Sequence, residues 1–269
     1  MTLAHKIQGE SMQMIIFQLN DGQRVYCEAG KFLWKTVNVA METRLGKGDA
    51  TQDQPAAPGM SGMLNKAMKT GVEMGKRHLA GESMAFQHFT ATGGSGLVSF
   101  AGVLPGHMKV FELDGTAGWF AAKDAFVAAE NTVEFDIAFQ GGKVGRKSGT
   151  GFVLEKFSGY GTLVIAGAGN FIELNPAKYG GKIQVDTGCV VAFQDSITYG
   201  IEKIGALNAQ TLVAGMFGGE GLNLATLEGD GTVILQSMTY DGIANALFAR
   251  VRQNDNTGIT GGIFGTSKG

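Results

Sequence analysis

The chain has 269 residues, of which 44% are hydrophobic and 17% are charged, and its formal net charge is −2. This apolar fraction excludes a disordered chain, and the scattered positions of the 22 lysines and arginines exclude the concentrated basic footprint that nucleic-acid binding requires. No apolar run approaches the ~18 residues of a membrane-spanning helix. Residues 1–10 lack the apolar core of a signal peptide, so a cytoplasmic protein is expected.

Glycine is the most unusual component, with 43 residues against only 4 prolines. Because glycine adopts φ > 0 without a Cβ clash, glycines interleaved with Val, Ile, Leu and Phe predict many short strands joined by tight turns. Cys27 and Cys189 lie far apart within apolar alternation. This placement favours two buried free thiols over a disulfide or a metal pair.

The first part of the chain alternates between apolar and polar residues. Strands are predicted at residues 12–19, 25–29, 32–34 and 37–41. Residues 49–79 break this pattern with a loop, and from residue 60 apolar residues recur every three or four positions, which predicts an inserted amphipathic helix. Its apolar face is a candidate partner or interface surface, formed by Met60, Met63, Leu64, Met68 and Val72. The face could pack on the protein's own sheet, on a neighbouring subunit or, peripherally, on a membrane surface.

Three later segments align with one another without gaps, which indicates an internal repeat. They are residues 81–89, 149–157 and 219–227. Each precedes a Gly-x-Gly tripeptide and an apolar run, and two glycines around one residue predict a tight hairpin turn. The tripeptides are residues 94–96, 159–161 and 229–231. A second module recurs in the same order, at residues 25–39, 119–133 and 183–197.

The alignment predicts an all-β fold of three tandem β-sandwich repeats. The repeats are residues 1–105, with the insertion at about 49–79, residues 106–168 and residues 169–238. Because about 60 residues bury little apolar surface and the outer repeats leave strand edges exposed, we expect subunits to close a cyclic homo-oligomer.

The end of the chain carries the last predicted element, a short C-terminal helix at residues 239–252. Asp241 is expected to be its N-cap. The side chains expected to face the sheets are Ile243, Ala246, Leu247 and Val251. Residues 253–269 read as a Gly-rich tail.

The stretch GGEGLNLATLEGDGTVILQS at residues 218–237 resembles the mitochondrial biogenesis family named for altered inheritance of mitochondria, which has many bacterial members of unknown function. Gly-Glu-Ser-Met at residues 9–12 and again at 81–84 supports the likeness, as does the helix after Met238. The resemblance implies a fold like that of the tryptophan RNA-binding attenuation protein, also described as a double-stranded β-helix. It further implies three such units per chain, a homotrimer and a ring of nine units, and it implies no catalytic residues.

The attenuation protein binds RNA through basic residues that recur on every unit, and no such set is present here. The matched positions in the three repeats are Glu28, Ala122 and Asp186, or Lys31, Ala125 and Cys189. RNA binding is therefore not expected for this chain.

Residues that could carry chemistry are sparse, and neither a metal site nor a cofactor site is predicted. The four histidines contain no His-x-His pair, and His88 fits a polar surface position of the repeat. Glu82 and Glu220 occupy one repeat position and are weak candidates for an acid and a base, although carboxylates after a glycine corner more often accept backbone N–H bonds.

The sequence favours a non-enzymatic oligomeric scaffold or binding protein, and three alternatives stay open. One is a small-molecule binder that uses clefts between repeats. Another is a β-sandwich enzyme acting on carbohydrate, with Glu82 or Glu220 as the acid and Trp34 and Trp119 as candidate lining residues. The last is peripheral membrane association through residues 60–78.

Overall fold

The computed structural model describes residues 3–45, 85–139, 153–203 and 223–248. The first strands are β1 His5–Gln8, β2 Met14–Leu19, β3 Arg24–Glu28, β4 Phe32–Lys35, β5 Val39–Leu45, β6 Ala85–Ala91 and β7 Gly96–Ala101. They are followed by β8 Gly106–Asp114, β9 Trp119–Ala122, β10 Phe126–Glu130, β11 Val133–Phe139 and β12 Val153–Ala168. The last strands are β13 Phe171–Leu174, β14 Lys182–Asp186, β15 Val190–Gln194, β16 Thr198–Lys203, β17 Asn223–Glu228 and β18 Val233–Gln236.

Helical structure is brief in the described part of the chain. Two 3₁₀ turns, Pro176–Tyr179 and Thr187–Cys189, flank β14, and residues 240–248 form a helix, α1. The expected predominance of β structure is thereby confirmed. Strand β1 lies before the first predicted strand and was missed, because its short polar sequence HKIQ shows little apolar alternation.

One antiparallel pairing scheme occurs in each of three consecutive strand groups, β2–β7, β8–β12 and β13–β18. In the first group β7 lies between β2 and β4, and β6 lies between β3 and β5. In the third group β18 lies between β13 and β15, and β17 between β14 and β16. In the second group β12 fills both central places, since its first half pairs with β9 and β11 and its second half with β8 and β10.

The three groups also share an irregularity in register. Each register shift lies in the third strand of its group. There the pairing advances by two residues along that strand and by one residue along its partner, as in a β-bulge. The shifts lie between Phe32 and Trp34, between Phe126 and Ala128, and between Val190 and Ala192.

Neighbouring groups are joined edge to edge by strand pairing. The first and second groups meet where β3 pairs with β10, and the second and third where β9 pairs with β15. These two pairings extend the largest sheet to eleven strands. Inside the second group, Gly106 at the start of β8 lies very close to β12, since a Cβ atom there would lie 1.8 Å from the carbonyl oxygen of Gly167.

The Gly-x-Gly tripeptides do not form the predicted hairpin turns. The strands on either side of the first and third tripeptides, β6 and β7 or β17 and β18, do not pair with each other and belong to different sheets. At the second tripeptide, β12 runs through Gly159 and Gly161 as one continuous strand. The two glycines have φ of 91° and 117°, in the left-handed region that other residues avoid. These glycines therefore let the chain cross from one sheet to the other. The hairpin prediction was wrong because the same glycine pattern serves both geometries.

The hydrophobic core consists of three clusters, and each draws residues from more than one strand group. The largest is built on Tyr26, Phe86, Phe126 and Phe157, which combine the first two groups. Another places Val127 and Val164 of the second group among first-group residues, and the third adds Leu154 to the last group. Because burial of apolar surface is the main driving force of folding, the groups depend on one another for stability.

The start of α1 differs from the prediction. Thr239, rather than Asp241, caps the helix, and its Oγ1 accepts a hydrogen bond from the backbone N–H of Gly242 at 3.0 Å. Ala246 and Leu247 are exposed, with 64% of Leu247 accessible, so they do not face the sheets of this chain. In the described residues no helix has the length and apolar character that crossing a membrane requires.

Candidate functional site

Most of the residues singled out by the sequence lie outside the described ranges. Glu82 and Glu220, the candidate acid and base, are among them. The candidate interface residues Met60, Met63, Leu64, Met68 and Val72 lie outside as well. Their roles stay predictions.

The two tryptophans proposed to line a carbohydrate site have different surroundings. Trp119 on β9 is only 8% exposed, and its ring centroid lies 4.1 Å from that of Phe111. Trp34 on β4 is 39% exposed. Trp119 is thus a core residue and is closed to a ligand at the surface.

His88 is buried, and the expectation of a surface position was wrong. It lies on β6, between β3 and β5, and only 2% of it is exposed. Its ring stacks on that of Tyr26 with centroids 5.8 Å apart. The residue type alone did not indicate this burial.

The two cysteines are both free, as predicted. Cys27 is fully buried, and burial raises its pKa to about 12. Cys189 is half-buried, and burial again raises the pKa of the thiol, helped by the nearby carboxylate of Asp186. Raised thiol pKa values disfavour the reactive thiolate, so neither environment is that of a nucleophile.

A cluster of charged side chains lies where the first and second strand groups meet. Glu28 ends β3, Lys31 follows in the loop to β4, and Asp124 lies in the turn from β9 to β10. Glu155 on β12 completes the cluster. Tyr240 at the start of α1 lies nearby: burial is the main cause that raises its pKa, and the negative charges of Asp124 and Glu28 raise it further. Lys31 is 4% exposed and Glu155 is fully buried, which is rare for lysine and glutamate.

Lys31 links the two strand groups through a backbone contact. Its Nζ donates a hydrogen bond to the carbonyl oxygen of Asp124 at 3.0 Å. Asp124 has φ of 74°, and no other non-glycine residue in the described ranges has positive φ. The matched position in the first group is Gly30, with φ of 92°. The lysine therefore meets a turn whose conformation is costly for a side-chain-bearing residue.

Glu155 and Glu28 form a carboxyl pair. No N–H or O–H group of the described residues donates to either carboxyl oxygen of Glu155. Burial is the largest cause that raises its pKa well above the ordinary value, followed by the negative charges of Glu28 and Asp124. Burial likewise raises the pKa of Glu28, which Lys31 opposes. Two buried carboxyl groups that lie close together repel each other when both are ionised, so the pair is suited to hold one proton.

The chemistry available to this cluster is limited by its burial. A general acid must reach the substrate within hydrogen-bond distance, and Glu155 has no accessible surface. In the described ranges no three His, Cys, Asp or Glu side chains are grouped as a metal site would require. The cluster is suited to hold a proton, and its Lys31–Asp124 hydrogen bond joins two strand groups. The sequence held one signal for it, since charged residues occupy Lys31 and Glu155 at positions that are Ala125 and Ala225 in other repeats.

Exposed apolar residues gather at a strand edge of the first group. Strand β4 pairs with β7 on one side, and in the described residues its other side has no partner. Leu33 and Trp34 on this strand are 48% and 39% exposed, and Val37 just beyond it is fully exposed. Strand β14 of the third group likewise pairs only with β17 among the described strands. We call these the β4 edge and the β14 edge, and they form the candidate interaction surface.

Comparison with known proteins places this architecture among others that have no assigned activity. An uncharacterised protein of Streptococcus pyogenes serotype M6 is 26% identical over 241 residues, covering 88% of this chain and 87% of the relative. The crystal structure of a protein from Streptococcus pyogenes superimposes with a TM-score of 0.66 at 21% identity, covering 92% of this chain and 99% of that one. At this identity the likeness supports the fold alone.

The family description "Mitochondrial biogenesis AIM24" matches residues 5–238, which is most of the sequence. This match includes all three strand groups and both strand edges. The chain therefore belongs to the AIM24 mitochondrial biogenesis family.

Proposed function

We propose that this protein is a non-enzymatic scaffold or binding protein that works as a closed ring of β-sandwich units, with three units in each chain. The three strand groups are the units. Their common pairing scheme and their common register shift support this division. The cores that neighbouring groups share also support it, because a unit of this kind gains stability from the next one.

The unpaired β4 and β14 edges are the observation that carries the proposal. In the described part of the chain, both junctions join the second strand of one group to the third strand of the next. The third strand of the first group and the second strand of the last group have no such partner among the described strands. Open strand edges promote uncontrolled association, and closed symmetry removes them.

A ring of three chains is the arrangement that the resemblance to attenuation proteins implies. A binding or scaffold role suits it better than catalysis, because the clustered charges of the described residues are buried away from any substrate. Binding of a partner or a small molecule would then use surfaces that the assembled units create together.

The mass of the protein in solution tests the ring. Size-exclusion chromatography with light scattering, at micromolar protein concentration, is expected to give three times the chain mass of 28.2 kDa. A mass equal to one chain would contradict the proposal. A mass of four or six chains would keep the ring and correct its number of subunits.

A further inference from the structure

Two junctions inside the chain have the same register. At the first, Cys27 of β3 lies opposite Ala128 of β10, and at the second Ala121 of β9 lies opposite Ala192 of β15. These residues are equivalent in the aligned repeats. The junction is thus a fixed geometric unit and not a chance contact.

A backbone hydrogen bond beyond the paired strands also recurs. The N–H of Asn131 donates to the carbonyl oxygen of Arg24 at 3.1 Å, and the N–H of Asp195 donates to that of Gly118 at 3.0 Å. The repeat alignment places Val37 and Lys182 at the corresponding donor and acceptor positions. Val37 is fully exposed.

Positions that are buried in these junctions are exposed at the outer edges of the first and third groups. Val127 and Ala128 of β10, inside the first junction, have no exposed surface. Their equivalents on the β4 edge, Leu33 and Trp34, are 48% and 39% exposed. On the β14 edge no side chain is fully buried, whereas Val25, Tyr26 and Cys27 of the equivalent β3 have no exposed surface. The β4 and β14 edges therefore expose the surface that a third junction would cover.

We infer that the β4 edge of one chain pairs, antiparallel and head to tail, with the β14 edge of a second copy. This inference rests on the proposed ring and specifies its contact. Transfer of the internal register sets Trp34 opposite Val185, Lys35 opposite Gln184 and Thr36 opposite Ile183. The N–H of Val37 then donates to the carbonyl oxygen of Lys182.

The inferred contact sets side chains in a row like those of the two internal junctions. In each junction four paired residues form one row across the sheet, and paired residues share a face. The two internal rows are Val164–Ala128–Cys27–Gln87 and Ile234–Ala192–Ala121–Glu155. The inferred row is Ser99–Trp34–Val185–Ala225, of which the first and last pairs are present in the chain.

The inferred row differs from the internal rows at every position, and Val185, which faces Trp34, is larger than the Cys27 or Ala121 that it replaces. A large Trp34 replaces an alanine, while a small Ser99 replaces the branched Val164 or Ile234 beside it. At the far end Ala225 replaces Gln87 or Glu155. The contact is therefore apolar at its centre, where Trp34 faces Val185, as the core of an interface requires. Tryptophan is also the residue type most often found at the energetic centre of an interface.

The experiment uses two single variants and their mixture. Trp34→Asp blocks the β4 edge, and Val185→Asp blocks the β14 edge, because each would place a charge in the apolar row. The matched control is Met41→Asp, whose parent side chain is also 39% exposed but lies on β5, away from both edges. Light scattering is expected to give the mass of one chain for each edge variant and the assembled mass for the control.

Mixing the two edge variants in equal amounts gives the decisive result. The Trp34→Asp chain keeps an intact β14 edge, and the Val185→Asp chain keeps an intact β4 edge, so together they should form a species of two chains and nothing larger. A face-to-face contact, in which each patch meets its own copy, cannot give this product. Leu33→Asp replaces Trp34→Asp if circular dichroism shows that the latter is unfolded.

The outcomes separate this inference from the proposed ring. If the unmodified protein has the mass of one chain, both are overturned. If it assembles and both edge variants keep that mass, the ring stands and the assigned contact is wrong. If the edge variants are folded single chains that stay separate on mixing, head-to-tail pairing is wrong.

Discussion

Replacing Glu155 by glutamine is expected to stabilise the folded protein at neutral and alkaline pH, and the gain should disappear in acid. In the folded chain burial and the negative charges of Glu28 and Asp124 raise the pKa of Glu155 well above its ordinary value. In the unfolded chain a glutamate ionises near pH ~4.3. Between these two values the folded state holds a proton that the unfolded state has lost.

The magnitude follows from that one proton. Where the two states differ by a full proton, the free energy of unfolding of the natural protein falls by about 1.4 kcal/mol for each pH unit. The stability that Glu155 contributes is fully present below the unfolded pKa and is lost as the pH rises through the folded one. Glutamine keeps the shape and can donate to Glu28, but it does not titrate. It is also the natural residue at the equivalent position, Gln87.

Urea unfolding from pH 4 to pH 9 measures this difference. Both proteins are compared at one concentration, so that subunit association contributes equally. Glu173→Gln controls for the loss of a carboxylate at the surface, where Glu173 pairs with Lys109. Parallel curves for the natural protein and Glu155→Gln would show that Glu155 does not carry the extra proton.

Two further predictions concern a close approach inside the second strand group and the inferred contact between chains. Gly106→Ala is expected to lower the free energy of unfolding by at least the ~1–3 kcal/mol typical of overpacking, because its Cβ would lie 1.8 Å from the Gly167 carbonyl oxygen, and an unchanged urea midpoint would contradict the close approach. Lys35→Cys combined with Gln184→Cys should be linked between chains by a short thiol cross-linker, whereas Lys35→Cys with Val185→Cys should link much less, since neighbouring strand residues point to opposite faces. Equal linking of the two pairs, seen on a denaturing gel, would contradict the inferred register.

Much of the strand order could be predicted from local patterns. The apolar runs of β2, β3 and β4 lie within one or two residues of their predicted positions, because alternation and turn residues are local signals. The sheet to which each strand belongs could not be predicted. At Gly159 and Gly161 a hairpin and a corner demand the same glycines, and only pairing with distant strands distinguishes them.

The buried charges show a second limit of sequence reasoning. Lysine and glutamate are residue types typical of a solvated surface. Lys31 and Glu155 are buried only because two strand groups meet around them. The burial of His88 against Tyr26 was likewise not visible in the sequence. Trp34 could be named as an unusual residue from the sequence, but its relation to the buried Ala128 and Ala192 needed the pairing registers.

The continuous strand β12 has a mechanical consequence. It pairs with β8, β9, β10 and β11, so every other strand of the second group is hydrogen-bonded to it. In the first and third groups two separate strands take these places, β6 and β7 or β17 and β18. In the second group a displacement of one sheet must therefore move the strand that the other sheet also uses.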